Sequence, residues 1–109
     1  MVHIRHTIYN RTVEKTTPIR WNSDKNLTLQ RERGVSFEEV LASVENGGLL
    51  ATMAHPNTER YAHQRIWVVR MRGYVYLVPF VESESEVFLK TIIPSRKVTQ
   101  QYLPGADDA

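Results

Sequence analysis

Gln64-Arg65-Ile66-Trp67-Val68-Val69-Arg70-Met71, then Arg72-Gly73, then Tyr74-Val75-Tyr76-Leu77-Val78-Pro79-Phe80-Val81 is the stretch that decides the fold. Two runs rich in β-branched and aromatic residues flank a two-residue connection ending in glycine, which spells a tight hairpin. The polar turn Glu82-Ser83-Glu84-Ser85 leads into a third run, Val87 to Ile93. The spacing predicts a consecutive antiparallel meander. In the first strand Arg65, Trp67, Val69 and Met71 oppose Ile66, Val68 and Arg70. In the second Val75, Leu77 and Val81 oppose Tyr74, Tyr76, Val78 and Phe80. Both faces are largely apolar, so one carries helices. The other is either partly covered or a binding surface that holds aromatic and basic groups together.

Upstream the pattern is helical. Asn22-Ser23-Asp24 is a helix-start cluster, and the helix formers from Asp24 to Arg33 end at Gly34, suited to a left-handed cap. Ser36-Phe37-Glu38-Glu39 matches a capping box, and Phe37, Val40, Leu41 and Val44 follow at helical spacing before Gly47-Gly48. Leu49 to Met53 reads as a short strand and residues 55–63 as a loop. Pro94-Ser95 interrupts the third run, and Arg96 to Leu103 reads as a terminal helix. The fold class is therefore α+β: two N-terminal helices packed on an antiparallel sheet of three to four strands, with a short C-terminal helix. Thr16-Thr17-Pro18 reads as a break. Residues 1–19 then form an extension, either an added strand or an arm without order, residues 20–103 the single domain, and residues 104–109 a solvated tail.

Composition narrows the function. The chain has 109 residues, 41% of them hydrophobic and 24% charged, which fits one globular domain. It lacks cysteine, which excludes disulfides, zinc-thiolate sites and thiol catalysis. No apolar run reaches the ~18 residues of a membrane span, and the Met1-Val2-His3-Ile4-Arg5-His6 start is not a secretory signal, so a cytoplasmic, membrane-free protein is expected. The net charge is only +2. Between residues 21 and 103 ten Lys/Arg face nine Asp/Glu, so nucleic-acid binding would need local clustering. No histidine pair has a metal-site spacing, and no cofactor is expected. Gly47-Gly48 is a helix terminator rather than a phosphate cradle, and Glu82, Glu84 and Glu86 form a solvated turn.

Three motifs, in order, resemble a known family. Trp21-Asn22-Ser23-Asp24-Lys25-Asn26 is similar to a W-D-x-x-K-N opening, and Gly34-Val35-Ser36-Phe37-Glu38-Glu39 to an H-G-V-S-F-E-E signature. Ile92-Ile93-Pro94-Ser95-Arg96-Lys97-Val98-Thr99 is similar to I-I-S-A-R-K-A-T. Together they resemble the BrnT family of bacterial toxins, in the RelE-like group of small endoribonucleases, over about three-quarters of the chain. Departures are visible: Arg33 stands at the family's His, Ser83 at an arginine, Thr91 at the first arginine of the last motif, and Tyr102 at an acidic position.

The resemblance implies a RelE-like fold and metal-independent RNA cleavage to a 2′,3′-cyclic phosphate and a 5′-hydroxyl. It also implies a cognate DNA-binding antitoxin, with a homodimer or a heterotetramer with that antitoxin as admissible assemblies. Such chemistry needs an arginine fork to neutralise the phosphate, and lysine as a point charge or proton donor. Arg96 is the first catalytic candidate, with Lys90 and Lys97 beside it in sequence. For each, the alternative is a solvated charge. Arg65, Trp67, Tyr76 and His63 are the RNA-binding candidates, the rings by stacking on bases and His63 as a proton carrier. Against this stand core packing for Trp67, Tyr74 and Tyr76, edge solubility for Arg65 and Arg70, and a plain loop residue for His63. Two functions follow: a toxin ribonuclease silenced by its antitoxin, or a non-catalytic protein-binding module on the same fold.

Overall fold

The computed structural model describes residues 2–5 and 16–105, and expectations for residues 6–15 and for the tail 106–109 lie outside these. The order is β1 (Val2–Arg5), β2 (Thr16–Trp21), α1 (Ser23–Arg33), α2 (Phe37–Glu45), β3 (Leu49–Ala54), β4 (Gln64–Met71), β5 (Tyr74–Glu82), β6 (Val87–Leu89), β7 (Ile93–Pro94) and α3 (Arg96–Tyr102). The general α+β class holds. The sheet is larger than expected and mixed, in the order β1-β2-β6-β5-β4-β3, with β7 also against β5.

The parallel pairing of β2 with β6 replaces the all-antiparallel sheet of the sequence reading. Ile19 lies opposite Val87 and Trp21 opposite Leu89. The expected boundary at residue 19 therefore runs through a strand of the sheet, and the two helices follow strands rather than open the domain. Pro18, read as a break, lies opposite His3 of β1 and ahead of the residues that pair with β6. There its missing N–H leaves that ladder intact.

The helices form where their caps place them. Asn22 Oδ1 accepts from Lys25 N–H at 2.9 Å, and Gly34, at φ 69°, closes α1 with its N–H on Gln30 O. Ser36 Oγ accepts from Glu39 N–H at 3.2 Å, but Glu39 does not complete a capping box. Its carboxylate turns to Arg72 Nε at 2.5 Å and ties α2 to the β4–β5 turn. In that turn both Arg72 (φ 57°) and Gly73 (φ 71°) are left-handed, as a two-residue hairpin of matching twist requires.

One core cluster lies between α1, α2 and the sheet. Leu29, Val35, Phe37, Val40, Leu41 and Val44 meet Trp67, Val69, Met71, Val78 and Phe80, with Ile19, Val87 and Leu89 extending it. This settles the two faces of the hairpin: the Trp67 and Phe80 side carries α1 and α2. On the other face Val68 and Val75 are fully buried. There α3 packs against β5, and the buried Thr99 Oγ1 accepts from Val75 N–H at 2.9 Å while donating to Ser95 O at 2.6 Å.

The third run is not one strand. Leu89 pairs with Phe80, but Ile93 pairs with Leu77, so β5 advances three residues while the other chain advances four. The extra residue makes a bulge that turns Ile92 into the core.

Between α2 and β3 the chain makes a close approach. A Cβ on Gly48 would lie 2.7 Å from Ser43 O and 2.8 Å from Arg70 O, whereas one on Gly47 (φ 88°) meets nothing within 4 Å. Ser43 O is held by the Gly48 N–H, and the Arg70 backbone is tied to the same residue because Arg70 N–H donates to Gly48 O. Gly48→Ala is expected to cost about 1–3 kcal/mol in urea unfolding by overpacking. Gly47→Asn, which tolerates a left-handed φ, is expected to cost less than about 1 kcal/mol. Equal losses would show that the carbonyls give way.

Candidate functional site

The bulge after β6 creates a meeting point that sequence order hides. Arg33, the last residue of α1, donates from Nη1 to Ile92 O at 2.6 Å. Three residues further Ser95 caps α3, and Ser95 N–H donates to Val75 O at 3.0 Å. Arg96 and Lys97 follow, both exposed in the first turn of α3. That turn carries no acidic residue. Cations near a helix N-terminus are disfavoured by about 0.3–1 kcal/mol each, so helix formation does not explain the pair. Thr99 is turned to the sheet, and Lys97, two residues away on a helix, faces the opposite side.

Tyr76 completes this end of the sheet. It lies opposite Pro94 of β7, packs half-buried against the core, and meets Tyr74 edge to face with centroids 5.8 Å apart. Arg72 closes the rim: its Nη1 lies 3.8 Å from where a Cβ on Gly34 would sit. Its charge is matched by Glu39. The result is one end of the sheet where α1 terminates and α3 begins, with Tyr76 on the face that carries α1 and α2 and with Arg96 and Lys97 on α3, which packs on the Val75 face.

The sequence-derived candidates divide accordingly. Arg96, Lys97 and Tyr76 share this end. Lys90 is displaced: its N–H donates to Pro79 O, and Pro79 lies four positions along β5 from Val75, roughly 13 Å of strand. It also shares the outer face with Phe88, its Nζ 6.0 Å from that ring. Arg65 lies opposite Phe80, roughly 17 Å along β5 from Val75, and its Nη1 is 3.9 Å from Glu82 Oε1. His63 is exposed near the same far end, its carbonyl accepting from Glu82 N–H at 3.3 Å.

Trp67 is corrected outright as a stacking residue. It is 1% exposed, tilted against Phe80 at 5.1 Å, and its Nε1 is buried without an acceptor among the described residues. No base can reach it. Arg33 is the residue that sequence reading left out of the candidate set. Its signal was present in the departure at the head of the Gly34–Glu39 motif, but nothing local shows that a helix end reaches Ile92.

A concavity of about 780 Å³ lies elsewhere, lined by Pro18, Ile19, Trp21, Ser23, Glu38 and the Arg20–Glu86 pair. None of the catalytic candidates borders it. Among the described residues no three His, Cys, Asp or Glu side chains gather as metal ligands, and no helix is long and apolar enough to cross a membrane.

No family model, no curated protein and no solved structure matches the chain.

Proposed function

We propose that the chain is a metal-independent endoribonuclease of the BrnT-like toxin kind, acting in the cytoplasm and silenced by a DNA-binding antitoxin that covers the basic end of the sheet. The observation that carries this reading is the Arg33–Ile92 contact. It sets a second guanidinium on the segment that leads to Arg96, which supports a reading in which two forks address one anion from two elements. Arg96 neutralises the phosphate as charge develops, and Arg33, with one donor held by Ile92 O, orients it through its remaining N–H groups. The RNA 2′-hydroxyl attacks phosphorus in line and gives its proton to water, the bond to the 5′-oxygen breaks, and the Lys97 ammonium donates a proton to the leaving oxygen and is reprotonated from solvent. Tyr76 and Tyr74 stack on flanking bases, a contact worth ~1–3 kcal/mol per base. Among the described residues this end offers no histidine, so catalysis rests on orientation and charge rather than on a strong base.

The experiment is cleavage of single-stranded RNA in EDTA. Arg96→Ala is expected to lower kcat about 10²–10³-fold. Arg65→Ala, at the other end of β5, is expected to leave it unchanged. A parent chain without activity, or equal loss in both variants, overturns the assignment.

A second reading is favoured by one observation. Most motif residues are consumed by the fold: Asn22, Ser36 and Ser95 cap helices, Asn26 and Thr99 make buried bonds, and Glu39 holds Arg72. A non-catalytic protein-binding module would keep the same residues. A stoichiometric partner together with normal growth on induction would mark that case.

A further inference from the structure

Independently of the basic end, the two outer strands of the sheet differ in kind. β1 carries His3 and Arg5, whereas Asn46 to Thr58, which includes all of β3, holds no Asp, Glu, Lys or Arg. Exposed edges are usually blunted by charge or proline. β3 has neither, and among the described residues it pairs with β4 alone.

Hydrogen-bond parity fixes which backbone groups are unused. His55 N–H donates to Gln64 O, and the register runs Ala54 to Arg65, Met53 to Ile66 and Ala51 to Val68. In an antiparallel ladder the bonded pairs alternate, so His55, Met53 and Ala51 address β4, while Thr52 and Ala54 point N–H and C=O away from it. The strip has two limits. A register shift between Leu49 and Ala51 ends it on one side, and Pro56 ends it on the other.

We propose that β3 pairs with β3 of a second copy of this chain, antiparallel, about a two-fold axis at Met53. Thr52 of each copy then lies opposite Ala54 of the other, and each such pair exchanges both N–H···O bonds. Met53 meets its own copy at the close, non-bonded position and buries a side chain that is 39% exposed in the single chain. The occupant is a second copy because the strip is symmetric in this sense: its outward groups are centred on Met53, and self-pairing brings no like charges together. A strongly charged partner strand gains nothing from an uncharged edge. The strip is short and below the size of a standard interface, so the dimer is weak and concentration-dependent.

Sedimentation of the full chain from about 10 μM to about 1 mM is expected to show the mass doubling across that range. Amide exchange is expected to slow with concentration at Thr52 and Ala54 and not at Met53, whose N–H is already bonded to β4. Thr52→Pro removes an outward donor without touching the β4 ladder, and Met53→Lys sets two ammonium groups side by side. Both are expected to stay monomeric with an unchanged circular dichroism spectrum. A wild-type chain that is monomeric at about 1 mM overturns the proposal. So does a folded Met53→Lys variant that dimerises as tightly as the wild type, or concentration-dependent protection that spares Thr52 and Ala54.

Discussion

Phe37→Ala is expected to lower stability by about 3–5 kcal/mol. Phe37 is fully buried, sits at the first turn of α2, and stacks on Trp21 with centroids 5.5 Å apart. The stack joins β2 to α2, so truncation opens a void where the parallel strand, the helix layer and the core meet. For a domain of this size, stability totals only about 5–15 kcal/mol, and the loss translates to a fall in Tm on the order of 15–30 °C. Thermal unfolding followed by circular dichroism checks it. Phe37→Leu is expected to cost less, since most of the volume is kept. A double-mutant cycle with Trp21→Ala is expected to return about 0.5–1.5 kcal/mol of coupling for the ring pair. A loss near zero for Phe37→Ala would mean that α2 does not pack on the sheet through this residue.

The second large effect belongs to a polar residue. Asn26 is buried in α1, accepts from Phe37 N–H at 2.9 Å and donates to Glu38 Oε1 at 2.8 Å. It is the joint between the two helices. Asn26→Leu is expected to cost about 2–4 kcal/mol, because a buried N–H without a partner alone costs about 1–3 kcal/mol. Asn26→Asp separates the two bonds. It keeps the acceptor for Phe37 N–H but sets a carboxylate against Glu38. That repulsion raises one carboxyl's folded pKa above its unfolded value, so the variant's deficit is present at neutral pH. It is expected to narrow as the pH falls from that raised value toward about 4, as the pair comes to share a proton. Urea unfolding of both variants at pH 7 and pH 4 reads this directly. A deficit for Asn26→Asp that does not change with pH would place Glu38 out of reach.

What the sequence shows about this fold is what is coded locally. Asn22, Gly34 and Ser36 announce two helices because a cap needs only its own turn. Arg72-Gly73 announces the hairpin because two left-handed residues suffice for it. The β2–β6 pairing has no such signal: Ile19 and Val87 are distant in sequence, and Pro18 reads locally as a break. The bulge that turns Ile92 inward is equally silent, since Val87 to Ile93 is apolar on either register. The candidate site inherits this. Arg96 and Lys97 were legible as neighbours, but Arg33 joins them only through a tertiary contact, and Lys90 leaves them because the bulge and the strand face separate them. Trp67 carried a misleading signal: an aromatic ring on a strand with arginines looks the same whether its face meets solvent or a helix, and only the placement of α2 decides.

The parallel ribbon also dictates the order in which this chain is completed on the ribosome. β2 is synthesised before either helix, yet the strand that secures it, β6, emerges only after the whole β4–β5 hairpin. The helices and the hairpin can nucleate from near neighbours, while β2, with only β1 beside it early, must wait for β6 and bears the loop-closure entropy of that wait. Nascent chains stalled before Val87 should therefore hold a protease-sensitive amino-terminal segment on an otherwise forming body, and docking of that segment should be the slow closing step of folding.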